Sequence, residues 1–149
     1  MTSRNLDFFE CANFFKGLIS FSYVVMDITY LEDEETVAET VTEALRCVGY
    51  NPFHERCAQA LLDRVSCGVD PGACYLLDEL NNVETNPDNV TGSQVALELM
   101  AQDSSARIVI GTGCSIDELP PEVQEAINHG KITYLRKPFR MAELAGMYD

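Results

Sequence analysis

The sequence predicts an α/β protein: a doubly wound, five-stranded parallel sheet with helices on both faces. Three observations carry that expectation. Short apolar runs at 26–32, 73–80, 106–113 and 132–139 read as buried strands. Segments with apolar residues at helical spacing alternate with them along the chain. Gly and Pro punctuate the junctions between the two kinds of segment. Strands joined by helical crossovers pair in parallel, and a parallel sheet needs cover on both faces.

Each element has its own signal. "MDITYLE" (26–32) is the first strand. Over 35–50, Val37, Val41, Ala44, Leu45 and Val48 recur at helical spacing, and Gly49 is placed to end the helix. "NPFHE" (51–55) is a weak second strand, and its Pro52 suits a sheet edge because proline donates nothing to a ladder. "RCAQALLDRV" is helical and "GVDPG" is a turn. "ACYLLDEL" (73–80) is the third strand, followed by a polar loop, "NNVETNPDNVTG", and a helix, "SQVALELMA". "ARIVIGTG" is the fourth strand. Pro120 and Pro121 open a helix that runs to about Asn128, since proline tolerates the first turn. "ITYLRKPF" (132–139) is the fifth strand and carries Ile132, Tyr134 and Leu135 into the core. "RMAELAGMY" forms a short last helix.

Composition bounds the function. A chain of 149 residues with 46% hydrophobic and 23% charged residues is of ordinary globular make-up. Its net charge of -14 repels phosphate backbones and argues against a nucleic-acid partner. Six cysteines include no CxxC pair, which disfavours zinc; most are expected to be small buried hydrophobes in a reducing cytoplasm. The first 25 residues are rich in Phe, but Asp7, Glu10 and Lys16 interrupt them, so neither a transmembrane span nor a signal peptide is expected. They read as a separate extension, helical and packed on the domain. A dimerisation or membrane-surface element is the sharper alternative.

In doubly wound folds the working groups gather at the carboxyl ends of the strands. Here the first strand runs into Glu32, Asp33 and Glu34, the third into Asp78, the fourth into Thr112 and Gly113, and the fifth into Lys137 and Pro138. Carboxylates brought that close repel one another unless a cation binds them, and an all-oxygen set suits Mg²⁺. Lys137 would grip an incoming anion, and Gly113 leaves room for a bulky group beside Thr112. The chemistry indicated is phosphoryl transfer with a carboxylate nucleophile.

At these residues the chain resembles the CheY-like receiver domain of two-component response regulators. "ITYLEDEETVAETVTEALRCVGY" is similar to that family's first strand, acidic cluster and first helix. "CYLLDEL" resembles the phosphoacceptor strand, "IVIGTG" the strand ending in Thr or Ser, and "YLRKPF" the Lys-Pro signature. The resemblance spans roughly residues 26–149 and implies the flavodoxin-like strand order 2-1-3-4-5. By position it implies Mg²⁺ bound by Glu32, Asp33, Asp78 and the backbone carbonyl of Leu80. It makes Asp78 the acceptor of a phosphoryl group from a histidine kinase or histidine phosphotransfer protein, and Lys137 the ligand of a phosphoryl oxygen. Thr112 and Tyr134 would form a switch that presents an altered surface to a downstream protein partner. Tyr134 is explained equally well as a core residue. The resemblance also implies a cis Lys137–Pro138 bond, a cytoplasmic location and a possible homodimer through the extension or the face formed by the fourth helix, fifth strand and fifth helix.

The chain departs from the pattern in its long loop after Asp78, in Asn82 where the family often has proline, and in its short final helix. Only ten residues follow Phe139, which suggests a stand-alone receiver or one cut from a larger chain. A phosphorylation-independent pseudo-receiver is the first alternative. A small-molecule phosphatase would usually show a second acid two residues after the nucleophile, where this chain has Leu80.

Overall fold

The computed structural model describes residues 25–69, 73–80 and 86–148. The Phe-rich extension, apart from Val25, and Asn82 lie outside the described residues. Five strands, β1 (Met26–Leu31), β2 (Tyr50–Glu55), β3 (Cys74–Leu77), β4 (Arg107–Thr112) and β5 (Ile132–Arg136), form one sheet in the order β2-β1-β3-β4-β5. Every neighbouring pair is parallel. Helices α1 (Glu35–Cys47), α2 (Ala58–Ser66), α3 (Gly92–Gln102), α4 (Pro121–Asn128) and α5 (Met141–Ala145) make the crossovers, with a 3-10 turn at Ile116–Glu118 ahead of α4.

The strand pleat divides the core in two. Side chains alternate across a strand, so Ile28, Tyr30, Cys74, Leu76 and Val109 face one side, with α1 and α5. Leu31, Tyr75, Leu77, Ile108 and Ile110 face the other, with α2, α3 and α4. Apolar residues on alternate sides of the central strands thus require cover on both, as expected of a doubly wound sheet.

Element ends differ from expectation by up to three residues. α1 stops at Cys47 rather than near Tyr50, because Gly49 adopts φ 99° and the chain enters β2 at once. β2 pairs with β1 over its full length, from Met26↔Tyr50 to Leu31↔Glu55, and occupies the edge that Pro52 permits. β3 is only four residues long, so Asp78 stands just beyond it. Tyr134 and Leu135 are half-buried on opposite faces, not fully sunk in the core.

The expectation for the cysteines does not hold. Among the described residues only Cys74 is buried; Cys47 and Cys114 are half-buried, and Cys57 and Cys67 are exposed at the two ends of α2. Helix ends must satisfy their own backbone groups, and there a small polar atom can serve as a cap, as the Cys57 sulfur does for the Ala60 N–H. α5 is short, yet it is anchored. Leu144 and Met147 are buried, and the Tyr148 hydroxyl donates to the Tyr75 carbonyl at 2.8 Å while its ring packs edge-on against Tyr50. No helix among the described residues is long and apolar enough to cross a membrane.

Candidate functional site

β1 and β3 are neighbours with Leu31 opposite Leu77, so Glu32 and Asp78 leave the sheet at the same level. Their backbones are still held there. The Asp78 N–H donates to the Leu31 carbonyl at 3.1 Å, and the Glu32 N–H to the Glu55 carbonyl at 3.0 Å. On the far side, the Lys137 N–H donates to the Thr112 carbonyl at 2.9 Å, which brings the end of β5 to the same edge. The Lys137–Pro138 bond is cis.

The side chains converge as the strand ends require. One carboxylate oxygen each from Glu32, Asp33 and Asp78 lies within 4.8 Å of the others. The Lys137 ammonium is ion-paired to Glu32 Oε2 and stands 3.5 Å from Asp78 Oδ1. Three carboxylates against one ammonium leave excess negative charge in a largely dry pocket, a setting that attracts a hard cation with oxygen ligands. The Asp78 side chain is 15% exposed and that of Glu32 only 2%, so Asp78 is the carboxylate of the ion-paired set that an incoming group can reach.

Glu32 is the electrostatic hinge of this cluster. Burial pushes its carboxyl above the ordinary range; the Lys137 hydrogen bond pulls it back and the Asp78 charge pushes it up again. It also accepts from the Tyr30 hydroxyl at 3.2 Å and the Glu34 N–H at 3.0 Å. Burial, and then the charges of Glu32 and Asp78, hold the Tyr30 phenol far above its usual value, so it remains a donor. His54 Nε2 lies 2.7 Å from the Glu32 carbonyl, and since a carbonyl only accepts, Nε2 carries the proton.

Thr112 is buried, and its hydroxyl accepts from the Cys114 N–H at 3.3 Å. Tyr134 packs on the core, and its hydroxyl donates to the Cys114 carbonyl at 2.5 Å. The two residues read as a switch therefore both end on Cys114, one from β4 and one from β5. Nothing lies within 4 Å of the position a Cβ would take on Gly113, so the space beside Thr112 is open.

Leu80 is less simple. It adopts φ 57°, its side chain is buried, and its carbonyl accepts from Asn86 Nδ2 at 3.0 Å. Asn86, itself buried, also donates to the Val90 carbonyl at 2.7 Å and so ties the two ends of the loop after Asp78 together. A carbonyl oxygen has two lone pairs, and one remains after the Asn86 bond.

Several site residues were not singled out in the sequence. Tyr30 had a signal: two residues before Glu32 on one strand, it shares that residue's face. Glu79 had none, because an acid after Asp78 reads as loop. It is buried, accepts from the Ser93 hydroxyl at 2.5 Å, and ties the start of α3 to the end of β3. Burial raises its carboxyl, against the lowering effect of hydrogen bonds from Ser93 and Thr91. Gly92 lies so close to this strand end that a Cβ there would stand 2.0 Å from the Asp78 carbonyl oxygen.

No protein-family model matches the sequence, and no curated protein matches it. Solved structures do. A CheY-like response regulator receiver domain from Methylobacillus flagellatus superposes with TM-score 0.60 at 23% identity, over 80% of this chain and 92% of its own. A response regulator receiver protein from Sinorhizobium medicae gives TM-score 0.63 at 18% identity, over 83% and 91%. A response regulator from Burkholderia pseudomallei, solved with a phosphorylated aspartic acid, calcium ion and citrate, gives TM-score 0.60 at 22% identity, over 83% and 66%. This chain therefore has the CheY-like fold that those receiver domains share.

Proposed function

We propose that the chain is a response-regulator receiver that accepts a phosphoryl group on Asp78. The observation that carries this reading is the cluster of Glu32, Asp33 and Asp78 beside Lys137 at the carboxyl edge of the sheet. The donor set fits Mg²⁺: hard carboxylate oxygens from three residues, with the Leu80 carbonyl as a further candidate. A bound Mg²⁺ would offset the charge that builds on the phosphoryl oxygens.

The remaining work falls to the chain itself. An Asp78 carboxylate oxygen forms the new bond to phosphorus as the phosphorus–nitrogen bond of a phosphohistidine breaks, and the departing imidazole keeps the electron pair. The donor would be a histidine kinase or a histidine phosphotransfer protein. Lys137 binds a phosphoryl oxygen and relinquishes part of its contact with Glu32. The Thr112 hydroxyl turns from the Cys114 N–H to the phosphoryl group, and Cys114 transmits that change to Tyr134. A downstream protein partner reads the altered surface.

A phosphorylation-independent pseudo-receiver is the second reading. It is favoured by the Lys137–Glu32 pair and by the Asn86 amide on the Leu80 carbonyl, which occupy groups a phosphorylated site would use. Intact-mass spectrometry after incubation with Mg²⁺ and acetyl phosphate separates the two. A single phosphoryl adduct on wild type, absent from Asp78→Asn, supports the receiver. An unmodified wild type, or an adduct that persists in Asp78→Asn, defeats the assignment of Asp78.

A further inference from the structure

We propose that residues 1–24 of this chain dock into the groove between α1 and α5. The groove has a volume of about 550 Å³ and is walled by Val37, Val41, Ala44, Met141 and Leu144, with Phe139 and Lys137 toward the site. Val37, Phe139 and Met141 are only half-buried, so α1 and α5 leave apolar surface that neither covers for the other. Such a face gains by taking up aromatic side chains, each of which buries roughly 150–250 Å².

Five of the chain's seven phenylalanines lie in the first 24 residues, at Phe8, Phe9, Phe14, Phe15 and Phe21. The segment joins the fold at β1, and Met26 packs against the core cluster on the α1–α5 side. Reach is no obstacle: β1 spans roughly 20 Å, whereas a chain of that length extends to roughly 80 Å. The larger groove at the opposite end of the sheet includes Asp27, Asn51 and Arg107, polar groups that phenylalanine would strip of water. A second copy of the chain is a poorer occupant. Two molecules of net charge -14 repel each other, while a tethered segment acts at a local concentration of about millimolar.

The docking itself does not depend on the chemistry of Asp78, so it stands or falls separately from phosphorylation.

Hydrogen–deuterium exchange on the full chain tests it, with mass spectrometry resolving peptides from residues 6–24. In wild type these peptides are expected to exchange at least about tenfold more slowly than an unstructured chain, and a Val37→Asp/Met141→Asp variant should lose that protection. Peptides from β1, β3 and β4 report whether the variant is folded. A second variant, Phe14→Ser/Phe15→Ser, leaves the described fold untouched and should speed exchange at 37–44 and 141–148 by about threefold or more. No protection in wild type overturns the proposal, as does unchanged exchange at 37–44 and 141–148 in the second variant. Protection that vanishes on dilution, together with a dimer mass by light scattering, assigns the segment to a second copy and also overturns it.

Discussion

Replacing Gly92 with alanine sets helix propensity directly against packing. In an open helix the change would be favourable by about 1 kcal/mol. Here the new Cβ would stand 2.0 Å from the Asp78 carbonyl oxygen and 2.8 Å from its carbon. Ordinary contact between such atoms begins near 3.5 Å, so about 1.5 Å must be found by movement. Neither side yields easily. The first turn of α3 is fixed by the Thr91–Gln94 capping box, and Asp78 by its N–H bond to Leu31. Overpacking of this kind costs about 1–3 kcal/mol; set against the propensity gain of about 1 kcal/mol, it should leave Gly92→Ala less stable than wild type by about 1 kcal/mol, or roughly 2–4 °C in Tm. A shift of about 1 Å at a reacting group can cost about a hundredfold in rate, so phosphorylation of Asp78 should slow by that order. Urea denaturation and a mass-spectrometric time course with acetyl phosphate would measure the two effects. A variant as stable as wild type, or more so, would show that propensity governs and that the close approach is not a constraint.

Three further outcomes follow from the site. Burial raises the Glu79 carboxyl above its usual value, so the fold binds that proton more tightly than the unfolded chain does. Its stabilising contribution is therefore complete below about pH 4.5 and is lost as pH rises through the raised value. Glu79→Gln keeps a partner for Ser93 and should match wild type near pH 4.5 but exceed it at pH 8; a gap that does not change with pH would contradict this. Lys137→Ala leaves buried Glu32 without its cation and should cost about 1–3 kcal/mol at pH 8, less as acid neutralises Glu32; chemical denaturation at the two pH values would reveal an unaffected fold. Tyr134→Phe removes the hydroxyl from the Cys114 carbonyl and should cost about 0.5–1.5 kcal/mol in thermal unfolding, with faster amide exchange over 113–118. Unchanged exchange there would mean that Tyr134 is a packing residue alone.

Most of the architecture was legible because each strand is a short apolar run and each crossover has helical spacing. The strand order was not contained in those patterns; it came with the resemblance at 26–32, 73–80, 106–113 and 132–139. The polar groups of the site were legible for a related reason. Glu32, Asp33, Asp78, Thr112 and Lys137 each stand at or just past the carboxyl end of a strand, and parallel strands bring such residues to one edge. What stayed hidden depends on partners distant in sequence. Glu79 is buried because Ser93 and Thr91 answer it from the start of α3, and Asn86 because two carbonyls converge on it. The cysteines were misread because a preference for burial is an average, and helix ends and loops can use the same side chain at the surface.

The last helix was marked in the sequence only as short. Arg140 and Glu143 close its own first turn just past Phe139, and at its other end the Tyr148 hydroxyl is fastened to the Tyr75 carbonyl on β3. A strut fastened at that one end resists sliding along the sheet. The motion left to it is a pivot about its lower anchor, with Phe139 and Met141 sweeping the widest arc. A probe placed at Met141 should therefore register events at Asp78 that one placed at Tyr148 would miss.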